Sequence, residues 1–184
     1  MRALGIDPVR DTQQIFRALL DAMARPGTIE RTPTTPADHA VLATLVDHEV
    51  SLHTEDDAVC EAFAGAGRLV EAALPDADVV HIAGSTDGRV REAQHGSLKE
   101  PSDGATVVYR VDSIETEPTA DDVAVTVSGP GVPGTRTFAI GGLPAAELEA
   151  IADAQRAFPR GIDVVLTTED RLAALPRSID LEVA

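Results

Sequence analysis

The first stretch with a helical pattern of apolar residues begins at Asp11 and ends before Pro26-Gly27. Asp11 and Gln14 have the spacing of a capping box, in which side chains satisfy free N–H groups at a helix start. Proline disfavours helical geometry at the preceding residue and glycine permits a chain reversal, so Pro26 and Gly27 are predicted to be structural residues. The apolar positions predicted to face the core are Ile15, Phe16, Leu19, Leu20 and Met23.

Weaker patterns follow in the first half of the chain, and strands dominate the second half. Helices are predicted over 37–47 and 58–70, with a short strand over 50–53 between them. Further strands with apolar or alternating patterns are predicted over 78–83, 105–111, 122–128, 135–140 and 162–166. The Gly/Pro-rich sequence SGPGVPG at 128–134 is interpreted as a hairpin turn, since it lacks a Walker A ending and precedes a strand.

Pro144 is predicted to open a helix between the last two of these strands. Glu147 lies in its first turns, and Leu148, Ile151 and Phe158 are assigned to its packing face. The length of 184 residues predicts one domain over 1–184. Along the chain, a helix-rich first third is followed by an antiparallel middle, a helix and a final apolar strand. The fold class is α/β, a mixed β-sheet with flanking helices in layers.

Charge narrows the possible partners. Thirty-one acidic residues face fifteen basic ones, which gives a net charge of −16, and Lys99 is the single lysine. Such a surface repels nucleic acid and anionic membranes. Acidic residues spread along the chain suit a salt-rich cytoplasm, so we predict a halophilic source.

Cys60 is the single cysteine, so no intrachain disulfide forms, and its acidic neighbours disfavour a thiolate. Without an apolar run of about 18 residues, a cytoplasmic protein is expected.

Residues with catalytic potential do not form a recognised motif. His48 and His53 are five residues apart and lack the helical spacing of a metal-binding pair, and no G-x-S-x-G elbow is present. Lys99 lies in a polar loop next to Glu100, which favours a charged surface ammonium over a Schiff-base nucleophile. The sequence therefore predicts no catalytic residue, no metal and no cofactor.

The segment at 157–178 allows two interpretations. Gly161 fixes a sharp start to an apolar strand that contains Asp163, and an aspartate there is costly unless it is paired. In the structural interpretation, Asp163 pairs with Arg160 or Arg177 and braces the strand. In the functional interpretation, Arg177 and Arg160 contact an anion or a partner protein.

Three segments together resemble a known family. They are DPVRDTQQIFRALLDAMARPGTI at 7–29, SGPGVPG at 128–134 and FPRGIDVVLTTEDRLAALPRS at 158–178. In this order they resemble the PhnH family, the H subunit of the carbon–phosphorus lyase core complex. The pattern Gln14-x-Phe16-Arg17 leading to Pro26-Gly27 is specific, whereas 54–101 resembles the family only loosely.

The resemblance implies a cytoplasmic homodimer that joins the G, I and J subunits. That core couples ATP to a phosphonate, so that adenine leaves and a ribose 1-phosphonate 5-triphosphate forms, and a radical iron–sulfur subunit later breaks the C–P bond. The family fold is a reduced large domain of the PLP-dependent transferases, without bound PLP. We therefore expect a non-catalytic structural subunit; the alternatives are a stand-alone enzyme that binds a nucleotide or phosphonate near Arg177 and a degenerate PLP protein.

Overall fold

The computed structural model of the protein describes residues 2–184 and contains two β-sheets flanked by helices. The helices over the described residues are α1 (Arg10–Ala24), α2 (Ala37–Leu45), α3 (Asp57–Gly65) and α4 (Ala145–Gln155). The strands are β1 (Glu30–Arg31), β2 (Leu52–His53), β3 (Val79–Ala83), β4 (Thr106–Arg110), β5 (Ser113–Glu115), β6 (Val123–Ser128), β7 (Thr135–Gly141), β8 (Asp163–Thr167), β9 (Arg171–Leu175) and β10 (Asp180–Val183). No helix within 2–184 has the length and hydropathy needed to cross a bilayer.

A mixed six-stranded sheet has the order β1-β9-β8-β4-β3-β2. Its strands β2, β3, β4 and β8 are parallel, and β9 and β1 add antiparallel partners at one edge. The second sheet is antiparallel, with the order β10-β6-β7-β5. The predicted α/β class, with a mixed sheet and flanking helices in layers, is confirmed.

The prediction of one antiparallel middle region was wrong. β3 and β4 are parallel and belong to the large sheet, whereas β6 and β7 form the predicted hairpin in the second sheet. Strands of a parallel sheet are buried on both faces and therefore have nearly continuous apolar sequences, as VVHIA and TVVYR do. The strands β1, β5, β9 and β10 were not predicted.

Side chains alternate between two cores on the faces of the large sheet. Val79, Val108 and Val165 belong to the core formed with α1, α2 and α3. Their neighbours Val107 and Val164 belong to the core shared with the second sheet and α4. The large sheet is therefore the middle layer and positions helices and loops at its two ends.

Helix α1 begins before the predicted capping residue. The side chain of Asp7 accepts the N–H groups of Val9 and Arg10, and the Asp11 carboxylate accepts the N–H of Asp7. The prediction of Asp11 as the cap was wrong, because the capping pair is Asp7 with Asp11 rather than Asp11 with Gln14.

The predicted packing face of α1 was also too wide. The residues of this helix that are buried are Ile15, Leu19 and Ala22, whereas Phe16 and Leu20 are 50% and 53% exposed. Ile15 and Phe16 lie about 100° apart around a helix, so a stripe containing both covers two faces. Phe158, also assigned to a core, is 64% exposed.

The Pro26-Gly27 pair joins α1 to both sheets. Gly27 has a φ of +74°, and its N–H donates to Ala174 O at 3.3 Å. A Cβ atom at Gly27 would lie 3.0 Å from a methyl group of Val127, so the close approach requires glycine. The Arg136 guanidinium donates to the Pro26 carbonyl, which stabilises the end of the helix.

Candidate functional site

Five polar residues meet at the carboxyl ends of the parallel strands, where α/β proteins commonly bind ligands. We call them the histidine–arginine cluster: Asp38, His39, Asp56, His81 and Arg110. β3 supplies His81 and β4 ends at Arg110, while Asp38 and His39 lie in the first turn of α2. Asp56 precedes α3 and accepts the N–H of Val59.

A directed chain of hydrogen bonds runs through the buried half of the cluster. The N–H of Asp56 donates to Thr54 Oγ1 at 3.1 Å, and Thr54 Oγ1 lies 2.9 Å from His81 Nδ1. His81 Nε2 donates to Asp38 Oδ2 at 2.9 Å. Asp38 is fully buried and its Oδ1 atom has no hydrogen-bond partner among residues 2–184.

Arg110 balances the charge of the two carboxylates. Its Nε donates to Asp38 Oδ2 at 2.6 Å, and one amino nitrogen lies 2.9 Å from His39 Nε2 and 3.5 Å from Asp56 Oδ2. Burial raises the pKa of Asp38, but the hydrogen bond from His81 and the nearby positive charges lower it further, so the pKa falls below its ordinary value of 3.8. Burial raises the pKa of Asp56, but hydrogen bonds from His39 and from the Val59 N–H, together with the charge of Arg110, lower it further, so this pKa also falls below 3.8.

Thr54, His81 and Asp38 have the composition of a hydroxyl–imidazole–carboxylate triad. A catalytic hydroxyl must reach the substrate, with hydrogen-bond donors placed to stabilise the developing charge. Thr54 Oγ1 instead accepts the N–H of Asp56 and does not line the neighbouring cavity. The arrangement therefore fixes the start of α3 against β3 rather than presenting a nucleophile.

The neighbouring cavity has a volume of about 460 Å³ and an acidic lining. Glu55, Asp56 and Asp87 contribute carboxylates, and Arg89 contributes the arginine in its lining. Fixed negative charges repel a phosphate or phosphonate group at short range. This cavity is therefore a poor fit for an anionic ligand such as a nucleotide or a phosphonate.

A second buried carboxylate, Glu147 of α4, holds the loop after β3. Its Oε1 accepts the hydroxyls of Thr86 at 2.6 Å and Tyr109 at 2.5 Å, and its Oε2 accepts the Ser85 hydroxyl at 3.0 Å and the Gly88 N–H at 2.8 Å. Glu147 is 1% exposed. Burial raises its pKa, but these four donors lower it further, so the pKa lies below the ordinary 4.5.

Arg177 lies at the opposite, amino end of the parallel strands, and its guanidinium donates hydrogen bonds to groups of the same chain. Its Nε donates to Asp163 Oδ2 at 3.0 Å, and its amino nitrogens donate to Asp163 and to the carbonyls of Pro101 and Gly104. Four of the five guanidinium N–H groups thus have partners. The backbone N–H of Arg177 donates to Asp163 Oδ1 at 2.8 Å.

Gly161 and Arg160 lie beside the ion pair of Arg177 and Asp163. Gly161 has a φ of +140°, and a Cβ atom there would lie 2.9 Å from Ala154 O, so the turn before β8 requires glycine. Arg160 is exposed and forms no ion pair within residues 2–184. Burial lowers the pKa of His95, and the charges of Arg160 and Arg177 lower it further.

The remaining candidates stay apart. Lys99 is 90% exposed and 4.0 Å from Glu100, as predicted for a surface lysine. Over the described part of the chain, no three His, Cys, Asp or Glu side chains form an arrangement that holds a metal ion. Burial and the charge of Glu71 raise the pKa of Cys60, in agreement with the predicted disfavoured thiolate.

Neither buried carboxylate was predicted from the sequence to be buried. Asp38 and Glu147 come two and three residues after Pro36 and Pro144, in first helical turns, where a carboxylate is usually exposed and interacts with the helix dipole. One signal was present: His81 and Arg110 are polar residues within or at the end of apolar strands, and such residues need buried partners.

Similarity to known proteins extends over nearly the whole chain. The sequence model of the family described as "Bacterial phosphonate metabolism protein (PhnH)" matches residues 5–182. The alpha-D-ribose 1-methylphosphonate 5-triphosphate synthase subunit PhnH of Rhizobium meliloti (strain 1021) is 31% identical over 191 residues, with 96% of this chain and 92% of the relative covered. The putative C-P lyase subunit protein HtxG of Stutzerimonas stutzeri is 28% identical over 179 residues, with 93% and 86% covered.

The fold and the site define an α/β protein whose buried ionic groups, among residues 2–184, are paired mainly with one another. With the family match over residues 5–182, the chain belongs to the PhnH family. The resemblance carried by the segments at 7–29, 128–134 and 158–178 is confirmed.

Proposed function

We propose that this chain is a non-catalytic structural subunit of the carbon–phosphorus lyase core complex. It acts with the G, I and J subunits in the ATP-dependent formation of ribose 1-phosphonate 5-triphosphate during phosphonate catabolism. The observation that carries the proposal is the match over 96% of the chain to a relative named as a subunit of such a synthase.

The buried polar clusters support a structural role. Asp38, Glu147 and Asp163 accept hydrogen bonds from groups of the same chain, and each joins segments that are far apart in the sequence. Catalysis needs a nucleophile, an acid or base and a stabilising group that converge on one open position. The paired groups described above hold the fold and leave its outer surfaces for contact with other subunits.

The alternative is a stand-alone enzyme that binds a nucleotide or a phosphonate at Arg177. This alternative requires an anion to replace Asp163 and two backbone carbonyls as acceptors of the guanidinium, whose side chain is only 12% exposed. Saturable heat on titrating the isolated protein with ATP and a phosphonate, absent in Arg177→Lys, would support the alternative.

Co-expression tests the subunit proposal. An affinity-tagged chain produced together with the G, I and J subunits is expected to elute with them as one assembly during gel filtration in molar KCl. Tagged chain that elutes without the other three subunits, while those three remain assembled, contradicts the proposal.

We also propose a salt-rich cytoplasm as the working environment. At low ionic strength the net charge of −16 destabilises the folded chain through self-repulsion, and salt screens that repulsion. The free energy of unfolding is expected to rise steadily from about 0.1 M to about 2 M KCl, as measured by urea denaturation. An unchanged unfolding midpoint over that range contradicts the proposed halophilic origin.

Two further features are proposed from the family resemblance. One is a homodimer, which light scattering of the isolated chain tests through its molar mass.

The other is descent of the fold from the large domain of PLP-dependent transferases, with the cofactor function lost. The 90% exposed side chain of Lys99 supports that loss, because a Schiff-base lysine must lie in a site that lowers its pKa. A new absorbance band on mixing with PLP would contradict it.

A further inference from the structure

Helix α1 presents an apolar stripe to solvent on the side away from the core. Val9, Phe16 and Leu20 are 77%, 50% and 53% exposed. Phe16 and Leu20 lie about 40° apart around a helix with 3.6 residues per turn, and Val9 directly precedes the helix. We call these three residues the α1 stripe. Large apolar side chains grouped on one exposed face are typical of protein–protein contacts.

The segment of sequence that contains the α1 stripe differs in charge from the rest of the chain. Residues 1–31 contain five arginines and four acidic residues, whereas residues 32–184 contain ten basic and twenty-seven acidic residues. Arg17 precedes Leu20 by three positions, so the two side chains are neighbours on the helix surface. Arg17 is exposed and has no ion-pair partner within the part of the chain that the structure describes.

We propose that the α1 stripe and Arg17 form the surface that docks onto another protein subunit, whose matching surface has an apolar centre and an acidic rim. This inference rests on the proposed function and adds the location and the chemistry of the contact. Apolar anchors beside an arginine are the residues that dominate the binding free energy of many interfaces. The segment 1–31, with its slight positive charge, is the part of this acidic chain suited to an acidic partner.

A second copy of this chain fits the surface less well. In a two-fold dimer each patch meets its own copy, so Arg17 would meet the positively charged segment that contains the other Arg17. A contact between the α1 stripe and a different face of a second copy would build a ring or an open chain of molecules rather than a two-fold dimer. A different subunit with exposed carboxylates avoids both difficulties.

The test compares binding of purified full-length variants to an immobilised assembly of the G, I and J subunits. We expect the double variant Phe16→Ser/Leu20→Ser to raise the Kd at least about 10-fold. Both side chains are half exposed, so the thermal unfolding midpoint of this variant is expected to stay close to that of the wild type. The matched control is Val70→Ser/Leu98→Ser, which removes two other exposed apolar side chains and is expected to leave the Kd unchanged.

Arg17→Glu tests the charge of the partner. The variant is expected to weaken binding about 10-fold at low ionic strength, and by less in molar KCl because salt screens exposed charges. Weakening that does not depend on salt, or tighter binding, contradicts an acidic rim.

The outcomes separate the inference from the proposed function. A wild-type chain that does not bind the other subunits overturns both. Wild-type binding that survives Phe16→Ser/Leu20→Ser, or that the Val70→Ser/Leu98→Ser control weakens equally, overturns the inference alone. Light scattering on the free variants tests whether the α1 stripe instead forms a homodimer. If Phe16→Ser/Leu20→Ser abolishes self-association but leaves binding to the other subunits intact, the α1 stripe contacts a second copy and the inference is overturned.

Discussion

Replacing Glu147 with alanine is expected to lower the free energy of unfolding by about 3–5 kcal/mol, because each hydrogen bond to a buried charged acceptor contributes about 1.5–3 kcal/mol. The carboxylate accepts hydrogen bonds from Ser85, Thr86, Gly88 and Tyr109, so its removal leaves four donors without their acceptor. A buried donor without a partner costs about 1–3 kcal/mol, and only part of this cost is recovered by movement of the loop. Urea denaturation in molar KCl measures the difference.

The control for this prediction lies on the same helix. Glu149 is exposed on α4, and Glu149→Ala is expected to change the free energy of unfolding by no more than about 0.5 kcal/mol. Equal effects of the two substitutions would contradict the assignment of Glu147 as the residue that holds the loop after β3.

Acid should remove the contribution of Glu147. Its pKa is lowered from 4.5 in the folded protein, so the stabilisation is fully present above about pH 4.5 and is lost as the pH falls through the folded-state pKa. The difference in stability between the wild type and Glu147→Ala should therefore shrink below about pH 4.5. A difference that stays constant into acid would show that the ionised carboxylate is not the stabilising form.

Replacing Asp38 with alanine is the second substitution with a large expected effect, again about 3–5 kcal/mol. Asp38 is fully buried, and its Oδ2 atom accepts from His81 Nε2 and from Arg110. Without it, the buried imidazole loses its acceptor and the positive charge of Arg110 loses its nearest carboxylate. Asp57→Ala, at an exposed position in the first turn of α3, serves as the control and should cost less than about 1 kcal/mol.

A comparison of Arg110→Ala with Asp38→Ala tests how much each partner of this ion pair contributes to the free energy of unfolding. The Arg110 side chain is 36% exposed, whereas that of Asp38 is fully buried. Removal of the guanidinium should destabilise the protein less than removal of the carboxylate, because Asp38 then keeps the hydrogen bond from His81, whereas Asp38→Ala leaves both His81 and Arg110 without this acceptor. A larger loss in Arg110→Ala than in Asp38→Ala would contradict this account of the histidine–arginine cluster.

Local patterns in the sequence predicted the elements that depend on local rules. The helix ending at Pro26-Gly27, the hairpin at 128–134 and the apolar strand near 162–166 follow from turn residues and periodicity, and all three are present. The strand β9 was missed because its sequence RLAAL is as suitable for a helix as for a strand. Its strand conformation comes from pairing with β8, which a local pattern does not contain.

The buried carboxylates could not be predicted for the same reason. Glu147 bonds to residues 38 to 62 positions away, and Asp38 bonds to residues 43 and 72 positions away. A helical first turn permits both exposed and buried carboxylates, and only the arrangement of the strands decides between them. The wide apolar face predicted for α1 was wrong for a different reason: Phe16 and Leu20 are apolar but half exposed, and a sequence pattern does not distinguish such residues from core residues.

The proposed non-catalytic role is tested by measuring ATP-dependent and phosphonate-dependent product formation by the assembled subunits, with and without this chain, and by this chain alone. If the chain contributes surfaces rather than reactive groups, its omission should abolish product formation, its addition should restore it, and the isolated chain should consume no ATP. Full activity of the assembly without the chain, or ATP turnover by the isolated chain, would contradict the account.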